Sequence, residues 1–490
     1  MRRSRRRRAI GSSSPSGLAT CRKSKNVGTL FFGWGSSFKA TIPTEALYPS
    51  ENAIYTEMDW LLVLALIIAA YGILAYIIRT HHLWEQHVVF YGPILAIKTE
   101  RVGFFDWFAR YRTFFRIYGT IGVLMVIVVS VLMTVMLVLS LQTTIVQQPE
   151  PTAVNELRNV LAIPGVNDFI PLTIAVLIGL IVTMVVHEFG HAILCRIEGI
   201  RVRAMGILIP VIPIGAFVEP DEEDQEKTKG LAKMRMFGAG ITNNIVLGLV
   251  CFGVLIVLLG FATPLSVPLV SGVYADSPAY AAGFPANSLI TEVNGIPVSS
   301  RDDVARILDT TLPGDTVTLR SDNNGVLATH TLTLTSWPAG MNNKTSGFMG
   351  VSYYDAGQLK QIFNNMLSPI GFLVLLAIPI WVIIEPSQYG SFMILMNDTA
   401  GSAMWNVPFP FFWFVIQLLF WCGWWNLVVG TFNALPLVPL DGGYIMKEGV
   451  DRLLDKKGLI RYSGHVVAAV SYAMLVVILA IFLLPKLLHL

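Results

Sequence analysis

The chain contains 490 residues, of which 54% are hydrophobic and only 14% are charged, and its mean hydropathy is +0.61. Ordinary globular chains are about a quarter charged, so this composition excludes a string of soluble domains and excludes disorder over most of the length. The net charge is only +3, and the four cysteines are scattered without a CxxC spacing, which excludes a disulfide framework and a cysteine-based metal site.

Residues 1–57 form a basic segment that begins MRRSRRRR and continues rich in serine and glycine. Three interpretations stay open: a transit-like peptide, a basic tail attracted to anionic lipid, and a mis-assigned start ahead of Met58. We expect a disordered segment or a start at Met58. Because these explanations account for the arginines, we expect no nucleic-acid partner.

A membrane-spanning helix needs about 20 largely apolar residues. The sequence therefore predicts a polytopic α-helical membrane protein embedded in a lipid bilayer. Six stretches meet the requirement, namely 60–79, 114–142, 168–195, 236–262, 409–436 and 463–488. A weaker seventh stretch, 367–385, carries Pro369 and Pro379.

Lysine and arginine accumulate on the cytoplasmic side of membrane proteins. The basic connections 79–113, 196–235 and 446–461 are therefore predicted to be cytoplasmic. The connections 143–167 and 386–408 carry one arginine and no basic residue, respectively, and are predicted to lie outside. Seven full spans cannot satisfy this pattern. We therefore expect about six transmembrane helices plus a re-entrant element, formed by the weaker stretch and broken at its prolines.

Residues 265–340 are polar and alternate with period two, which predicts half-buried strands in a small inserted α+β domain. Residues 322–325 (Asp-Asn-Asn-Gly) predict a hairpin turn between two strands, and 301–311 predicts a helix. The insert resembles a PDZ domain of the protease-associated kind, on the segments SPA at 277–279, AGF at 282–284 and LITEVNGIPV at 289–298. It departs from that pattern at Asn287-Ser288. Two alternatives stay open: the domain binds a peptide ligand by strand addition, or it only gates access.

The predicted span 168–195 contains His187-Glu188-Phe189-Gly190-His191. Two histidines four residues apart project from one helical face and can bind one Zn²⁺. Glu188, next to the first histidine, can act as general base on a water at the metal. A chance motif is the alternative, but a carboxylate within an apolar span costs several kcal/mol, which argues for a function.

Catalytic zinc usually has three protein ligands, and a third candidate lies far along the chain. Near the cytoplasmic end of the span 409–436 the sequence runs from Asn433 through Pro436 and Pro439 to Asp441-Gly442-Gly443. The prolines break the helix, and the glycines permit unusual backbone conformations. Unwound backbone there can deliver the Asp441 carboxylate at membrane depth. The predicted orientation places both motifs toward the cytoplasmic leaflet.

HExxH in one span and NxxPxxxxDG in a later one resemble the site-2 protease family of intramembrane zinc metalloproteases. The resemblance implies one Zn²⁺ per chain, held by His187, His191 and Asp441, with Glu188 as base. Asn433 is then expected to bind substrate or polarise the scissile carbonyl. The implied organisation is 58–167 as N-terminal transmembrane helices, 168–264 as catalytic core with HExxH, the PDZ-like domain at 265–340, and 341–490 as catalytic core with NxxPxxxxDG and a C-terminal helix.

Two further stretches resemble the family. Residues 204–220, ending in GAFVEP with Phe217 and Val218, resemble a strand segment whose exposed edge binds unwound substrate; the alternative is a simple interfacial hairpin. Residues 240–244 (GITNN) resemble its Gly-Pro-x-x-Asn pattern, with isoleucine in place of proline. That pattern implies Asn244 near the substrate, and packing of small residues is the alternative.

The predicted function is hydrolysis of peptide bonds within transmembrane segments of membrane-anchored, regulatory proteins. The resemblance places such an enzyme in the plasma membrane. The distribution of basic residues places the PDZ-like domain outside and the catalytic site toward the cytoplasm. The main alternative is a non-catalytic membrane scaffold with a peptide-binding PDZ domain and a bound metal. A metal transporter and an HExxH protease of prenylated proteins fit less well, because the sequence has no second chain of intramembrane carboxylates and offers Asp441 where the latter family uses a glutamate.

Overall fold

The computed structural model describes most of the chain beyond residue 59. The described ranges are 60–81, 87–91, 94–160, 162–209, 215–265, 267–286, 288–323, 325–338, 341, 344–366, 368–384, 392–397, 402 and 404–489. The predictions for residues 1–57 lie outside these ranges, as does the predicted start at Met58.

Helices form most of the described structure. Their bounds are α1 Trp60–Thr80, α2 Arg112–Gln147, α3 Leu157–Val160, α4 Ile174–Glu198, α5 Glu222–Lys227, α6 Leu231–Phe261, α7 Pro278–Ala281, α8 Arg301–Leu308, α9 Ala356–Asn364, α10 Pro369–Ile384, α11 Met393–Met396, α12 Phe412–Asn433, α13 Asp441–Asp455 and α14 Ser463–Leu488. Short 3₁₀ segments cover Gly103–Tyr111, Ala153–Asn155 and Ile460–Tyr462.

The strands fall into three sheets. Their bounds are β1 Val88–Tyr91, β2 Ile94–Thr99, β3 Val202–Ile209, β4 Gly215–Pro220, β5 Thr263–Pro264, β6 Pro268–Val273, β7 Leu289–Val293, β8 Ile296–Pro297, β9 Thr316–Asn323, β10 Val326–Thr333, β11 Val351–Asp355 and β12 Trp405–Asn406. One sheet has the antiparallel order β1-β2-β3-β4, and a larger one has the order β10-β9-β7-β6-β11 with β8 beside β7. Among the described strands, β5 pairs only with β12.

Within the described ranges, five helical stretches are long and apolar enough to cross a membrane: Gly103–Gln147, Ile174–Glu198, Leu231–Phe261, Phe412–Asn433 and Ile460–Leu488. The protein is therefore a polytopic membrane protein. The first predicted span also forms a helix, α1, of 21 residues.

The predicted break at Pro379 is wrong, because α10 continues through that residue. With 16 residues, α10 measures about 24 Å at about 1.5 Å per residue, which is shorter than the ~30 Å hydrocarbon core.

Helices α4, α6 and α12 pack against one another and form the centre of the molecule. Small residues let their backbones approach closely. A β-carbon at Gly190 on α4 would lie 2.6 Å from the Ala239 carbonyl oxygen on α6. One at Gly179 would lie 2.9 Å from the Cys422 nitrogen on α12. Such contacts are typical of helix packing in membranes, where close van der Waals contact replaces the hydrophobic effect.

Local signals explain where α4 begins and ends. The Thr173 hydroxyl accepts a hydrogen bond from the backbone N–H of Val176, which caps the first turn. Gly199, with φ of 86°, ends the helix in the left-handed conformation that glycine adopts most easily. Strands β3 and β4 of the four-stranded sheet follow directly, and β4 packs against α4.

The larger sheet forms in the region predicted to be an α+β insert. β9 and β10 pair from Thr316↔Thr333 to Asn323↔Val326, which confirms the predicted hairpin. The predicted helix over 301–311 ends at Leu308. β11 pairs with β6, so the sheet continues past residue 340, where the sequence predicted the domain to end. Val270, Ile290, Val317 and other apolar residues give this region a buried core of its own.

Candidate metal centre

His187 and His191 face each other one turn apart on α4. Their Nε2 atoms lie 3.2 Å apart. The Asp441 Oδ2 atom lies 3.1 Å from His187 Nε2 and 3.4 Å from His191 Nε2. The structure therefore brings together the two histidines and the aspartate on which the sequence prediction depended, and the three side chains are only 8%, 13% and 15% exposed.

The geometry of this group fits a tetrahedral zinc ion. Zinc binds nitrogen and oxygen at about 2.0–2.2 Å, so neighbouring ligand atoms in a tetrahedron lie about 3.3–3.6 Å apart. The observed separations of 3.1–3.4 Å are close to this range. No other group of three histidine, cysteine or acidic side chains with this potential occurs within the described ranges.

Asp441 reaches the histidines because the chain reverses tightly after α12. α12 ends at Asn433 and α13 begins at Asp441. A β-carbon at Gly442 would press into the backbone of Ala434, and one at Gly443 would lie 2.5 Å from the Val438 nitrogen. The two glycines therefore let the intervening loop fold against the first turn of α13. The Asp441 carboxylate lies at a helix N-terminus, where the helix dipole stabilises negative charge.

Helix α6 forms the wall behind the two imidazoles. A β-carbon at Gly240 would lie 2.5 Å from His191 Nε2 and 2.7 Å from His187 Cε1, so only glycine leaves room for both rings. The His191 Nδ1 atom lies 2.8 Å from the Met236 carbonyl oxygen. The Asn244 amide lies 3.2 Å from His187 Nδ1. Asn244 is fully buried, so in this structure it contacts the histidine and not an open surface.

Glu188 points to the sheet and not to α6. Its Oε2 atom accepts a hydrogen bond of 3.0 Å from the backbone N–H of Val218 on β4. Among the described strands, β4 is the last strand of the four-stranded sheet. Phe217 lies opposite Gly206 of β3, and Val218 lies opposite Met205. Backbone groups of successive strand residues point to alternate sides. Because the Val218 N–H donates to Glu188, it faces the edge of β4 that no other described strand pairs with, here called the free edge. The Phe217 ring lies over Gly206, within the sheet.

Asn433 is the last residue of α12 and is half-buried. It lies one turn beyond Gly430, where a β-carbon would be 3.2 Å from the Asn244 β-carbon. The end of α12 therefore runs close to the same part of α6 that supports His187. Among the described residues, no hydrogen bond joins Asn433 to the three clustered side chains.

Sequence reasoning missed two buried carboxylates that hold these helices in place. Glu198, 3% exposed, pairs with Arg116 of α2 and Arg235 of α6 at 3.1 and 2.8 Å. Glu448 of α13 accepts a hydrogen bond from the Gly230 N–H at 2.9 Å and lies 3.4 Å from Lys233 Nζ. Charged residues at the ends of apolar spans usually have partners, and that signal was present in the sequence.

The acidic residues after β4 have partners within the same sheet region. Arg201 donates to the Asp224 carboxylate from its side chain at 2.6 and 3.1 Å and from its backbone N–H at 3.1 Å. These hydrogen bonds lower the pKa of Asp224 to about 2. Arg203 pairs with Asp221 at 3.0 Å. These two carboxylates join β3 to the segment that follows β4.

Comparison with known proteins agrees with this site. The profile of peptidase family M50 matches residues 175–481, which is more than half of the chain. An uncharacterized protein of Methanocaldococcus jannaschii is 23% identical over 292 residues, covering 58% of this chain and 61% of its own length. A protein of Mesorhizobium japonicum, provisionally named a zinc metalloprotease, is 26% identical over 56% of this chain and 87% of its own length.

A further relative is zinc metalloprotease Rip1 of Mycobacterium bovis, 21% identical over 60% of this chain and 88% of its own length. The chain thus spans about three fifths of the archaeal relative and most of the two bacterial ones. The matched region contains both histidines, Glu188 and Asp441. The chain belongs to peptidase family M50, the site-2 protease family of membrane zinc metalloproteases.

Proposed function

We propose that this protein is an intramembrane metalloprotease that hydrolyses peptide bonds within transmembrane segments of membrane-anchored, regulatory proteins. The observation that carries the proposal is the convergence of His187, His191 and Asp441 within 3.4 Å, where the apolar helix α4 meets the first residue of α13. Family membership supports the chemistry, and the position of both histidines on an apolar helix long enough to cross a membrane supports the class of substrate.

One Zn²⁺ per chain would be held by these three side chains. A zinc ion bound there would act as a Lewis acid toward the scissile carbonyl and would make water more acidic. Three protein ligands leave one position open, as in catalytic and not structural zinc sites. This ligand number favours an enzyme over the non-catalytic scaffold.

Glu188 is the general base in this proposal. Glu188 directly follows His187 and lies three residues before His191, and its carboxylate is held on the side of the site that faces β4. It accepts a proton from the attacking water and returns that proton to the leaving amine. Its hydrogen bond from Val218 fixes the carboxylate before substrate arrives.

The free edge of β4 is the proposed substrate-binding element, with Val218 as its central residue and Phe217 shaping the sheet beneath. A helix hides its carbonyl groups in internal hydrogen bonds, so a transmembrane substrate must unwind before attack. An extended segment can then pair with a strand edge. Asn433, half-buried at the end of α12, is proposed to donate from its amide to the substrate or to the developing oxyanion.

The membrane arrangement is part of the proposal. Six helices span the bilayer, and α10, too short for a straight span, forms a re-entrant or lateral element. The concentration of basic residues in 79–113, 196–235 and 446–461 supports a cytoplasmic location for the zinc site. The PDZ-like region then lies outside, as a size filter or as a binder of peptide ligands, and the plasma membrane is the proposed location.

The first test is cleavage of a single-span substrate by purified protein in detergent, with zinc content measured on the same samples. Glu188→Gln keeps the shape of the side chain and removes the base. We expect equal zinc in both proteins and a rate at least about a hundredfold lower in the variant. A wild-type protein without zinc would contradict the metal site. Equal cleavage by both proteins would contradict Glu188 as the base, and zinc in both proteins without cleavage by either would favour the scaffold.

A further inference from the structure

We propose that Asn244 is a positioning residue that fixes the tautomer of His187. In this view its side-chain carbonyl accepts a hydrogen bond from His187 Nδ1–H, which leaves Nε2 as the only ring atom free to bind metal. The inference rests on the proposed zinc site and adds a residue that holds one of its ligands. It assigns Asn244 a role different from the substrate contact that the sequence resemblance implied.

The burial of Asn244 is the first argument. The residue is 0% exposed, and its amide lies 3.2 Å from His187 Nδ1. As placed, the amide nitrogen faces the ring, and the carbonyl oxygen has no partner among the described residues. The oxygen and nitrogen of an amide exchange places by a half-turn of the last bond, and the hydrogen-bond network decides which orientation holds.

The position of the metal ligands decides the orientation here. The His187 Nε2 atom faces Asp441 Oδ2 and His191 Nε2 at 3.1 and 3.2 Å. When Nε2 binds a metal, a neutral imidazole must carry its proton on Nδ1. If the Asn244 amide nitrogen faced that Nδ1–H, two hydrogen-bond donors would face each other and no hydrogen bond could form. The half-turn places the carbonyl oxygen there instead and forms a hydrogen bond.

His191 provides an internal comparison. Its Nδ1 atom lies 2.8 Å from the Met236 backbone carbonyl, which can only accept. His191 therefore carries its proton on Nδ1 and presents Nε2 to the same point. Met236 and Asn244 lie two turns apart on α6, with Gly240 between them giving the rings room. Helix α6 thus orients both ligands, one through its backbone and one through a side chain.

Hydrogen bonds behind metal-binding histidines are worth about 10- to 100-fold in metal affinity. Two substitutions of similar size separate the proposed role from simple packing. Asn244→Asp offers oxygen acceptors in the same positions, and Asn244→Leu fills the space without a hydrogen bond. The zinc dissociation constant of purified protein, measured by competition with a chelator, requires no substrate.

We expect Asn244→Leu to weaken zinc binding by about 10- to 100-fold and Asn244→Asp to stay within a few-fold of wild type. The matched control is Asn243→Leu, at the position of α6 directly before Asn244. Asn243 accepts a hydrogen bond from the Tyr118 hydroxyl at 2.8 Å and donates one to the Val186 carbonyl at 3.2 Å. Its replacement therefore alters helix packing but removes no hydrogen bond to a histidine. Circular dichroism of each variant verifies that the helices are intact.

The outcomes separate the inference from the proposed function. If wild type holds no zinc, the metal site and this inference both fall. If wild type binds zinc and Asn244→Leu binds it equally well, only the inference is overturned. Equal losses in Asn244→Asp and Asn244→Leu would also overturn it, as would an equal loss in Asn243→Leu, because general packing would then explain the effect.

Discussion

Gly240 shows how closely helix α6 approaches the two histidines. A methyl group there would lie 2.5–2.8 Å from atoms of both rings, and neither ring can retreat without leaving the position from which its Nε2 atom faces Asp441. Space at this one position is therefore required for the observed arrangement of the two imidazole rings and Asp441.

We predict that Gly240→Ala lowers zinc affinity by about tenfold or more, because overpacking of this kind costs about 1–3 kcal/mol. The same chelator competition measures it. Gly253→Ala on the same helix is the control, since a β-carbon there meets nothing within 4 Å. Wild-type zinc affinity in Gly240→Ala would show that the rings move aside freely.

At the residue scale, the sequence predicted that His187, His191 and Asp441 come together, but not which residues of α6 hold the two histidines in place. The i, i+4 spacing of His187 and His191 follows from helical geometry alone, and the proline-glycine pattern indicated that Asp441 leaves a broken helix. The position of Asn244 behind His187 depends on how α6 is rotated and shifted against α4. No spacing within one helix contains that information.

Helix α13 carries Asp441 at its first residue and Glu448 two turns later. Glu448 accepts from the Gly230 N–H at 2.9 Å, so it caps the N-terminus of α6, and it pairs with Lys233 in the first turn. This contact joins α13, which carries the proposed ligand Asp441, to α6, which packs behind the other two proposed ligands.

We predict that Glu448→Ala lowers the free energy of unfolding by about 1–3 kcal/mol, because it leaves a partly buried N–H and a lysine without their acceptor. Zinc affinity should fall with it, since Asp441 loses its anchor. Glu448→Gln keeps an oxygen for Gly230 and should lose less. Thermal unfolding with and without chelator checks both effects, and equal behaviour of the two variants would argue against the capping role.

Element boundaries were predicted well where the signal is local. The helices α2, α4, α6, α12 and α14 match predicted apolar stretches, and the β9–β10 hairpin matches its turn signal. The strands β1 and β2 were not predicted, and β11 fell past the expected domain end. β2 and β11 each pair with a strand distant in sequence, which no local pattern reveals, and β1 joins the sheet only through β2. Pro379 was expected to break a helix, yet a helix within a protein bundle accommodates proline when neighbouring groups compensate for the lost hydrogen bond.

At the scale of the whole molecule, Lys360 joins the larger sheet to the membrane bundle. Lys360 lies on α9, directly after β11, and its Nζ donates to the carbonyls of Leu259, Gly260 and Ala262 at 2.7–2.8 Å. These carbonyls end α6, where a cation is favoured by the helix dipole. Because α6 also continues into β5 and β6, the sheet region is attached to the end of α6 both covalently and through Lys360.

We predict that Lys360→Met increases hydrogen exchange in the backbone of β6 and β11 and lowers stability by about 1.5–3 kcal/mol, the usual contribution of a charged hydrogen-bonded group. Lys344→Met is the control. Its ammonium pairs with Asp309 at 2.7 Å within the sheet region, and exposed pairs of this kind contribute at most about 1 kcal/mol. Equal effects of the two substitutions would contradict a fastening role for Lys360.

The hydrogen bond between Val218 and Glu188 has a consequence for the molecule at rest. An edge strand presents backbone N–H groups that, when buried and left unpaired, cost free energy and invite pairing with an extended chain. Glu188 satisfies the Val218 N–H in the absence of substrate. An incoming strand that pairs along β4 must take the Val218 N–H from the carboxylate, so arrival of an unwound segment would itself release the carboxylate. In the proposed protease, this hydrogen bond would therefore keep other extended chains from pairing with β4. It would also delay proton transfer to Glu188 until a substrate segment is bound.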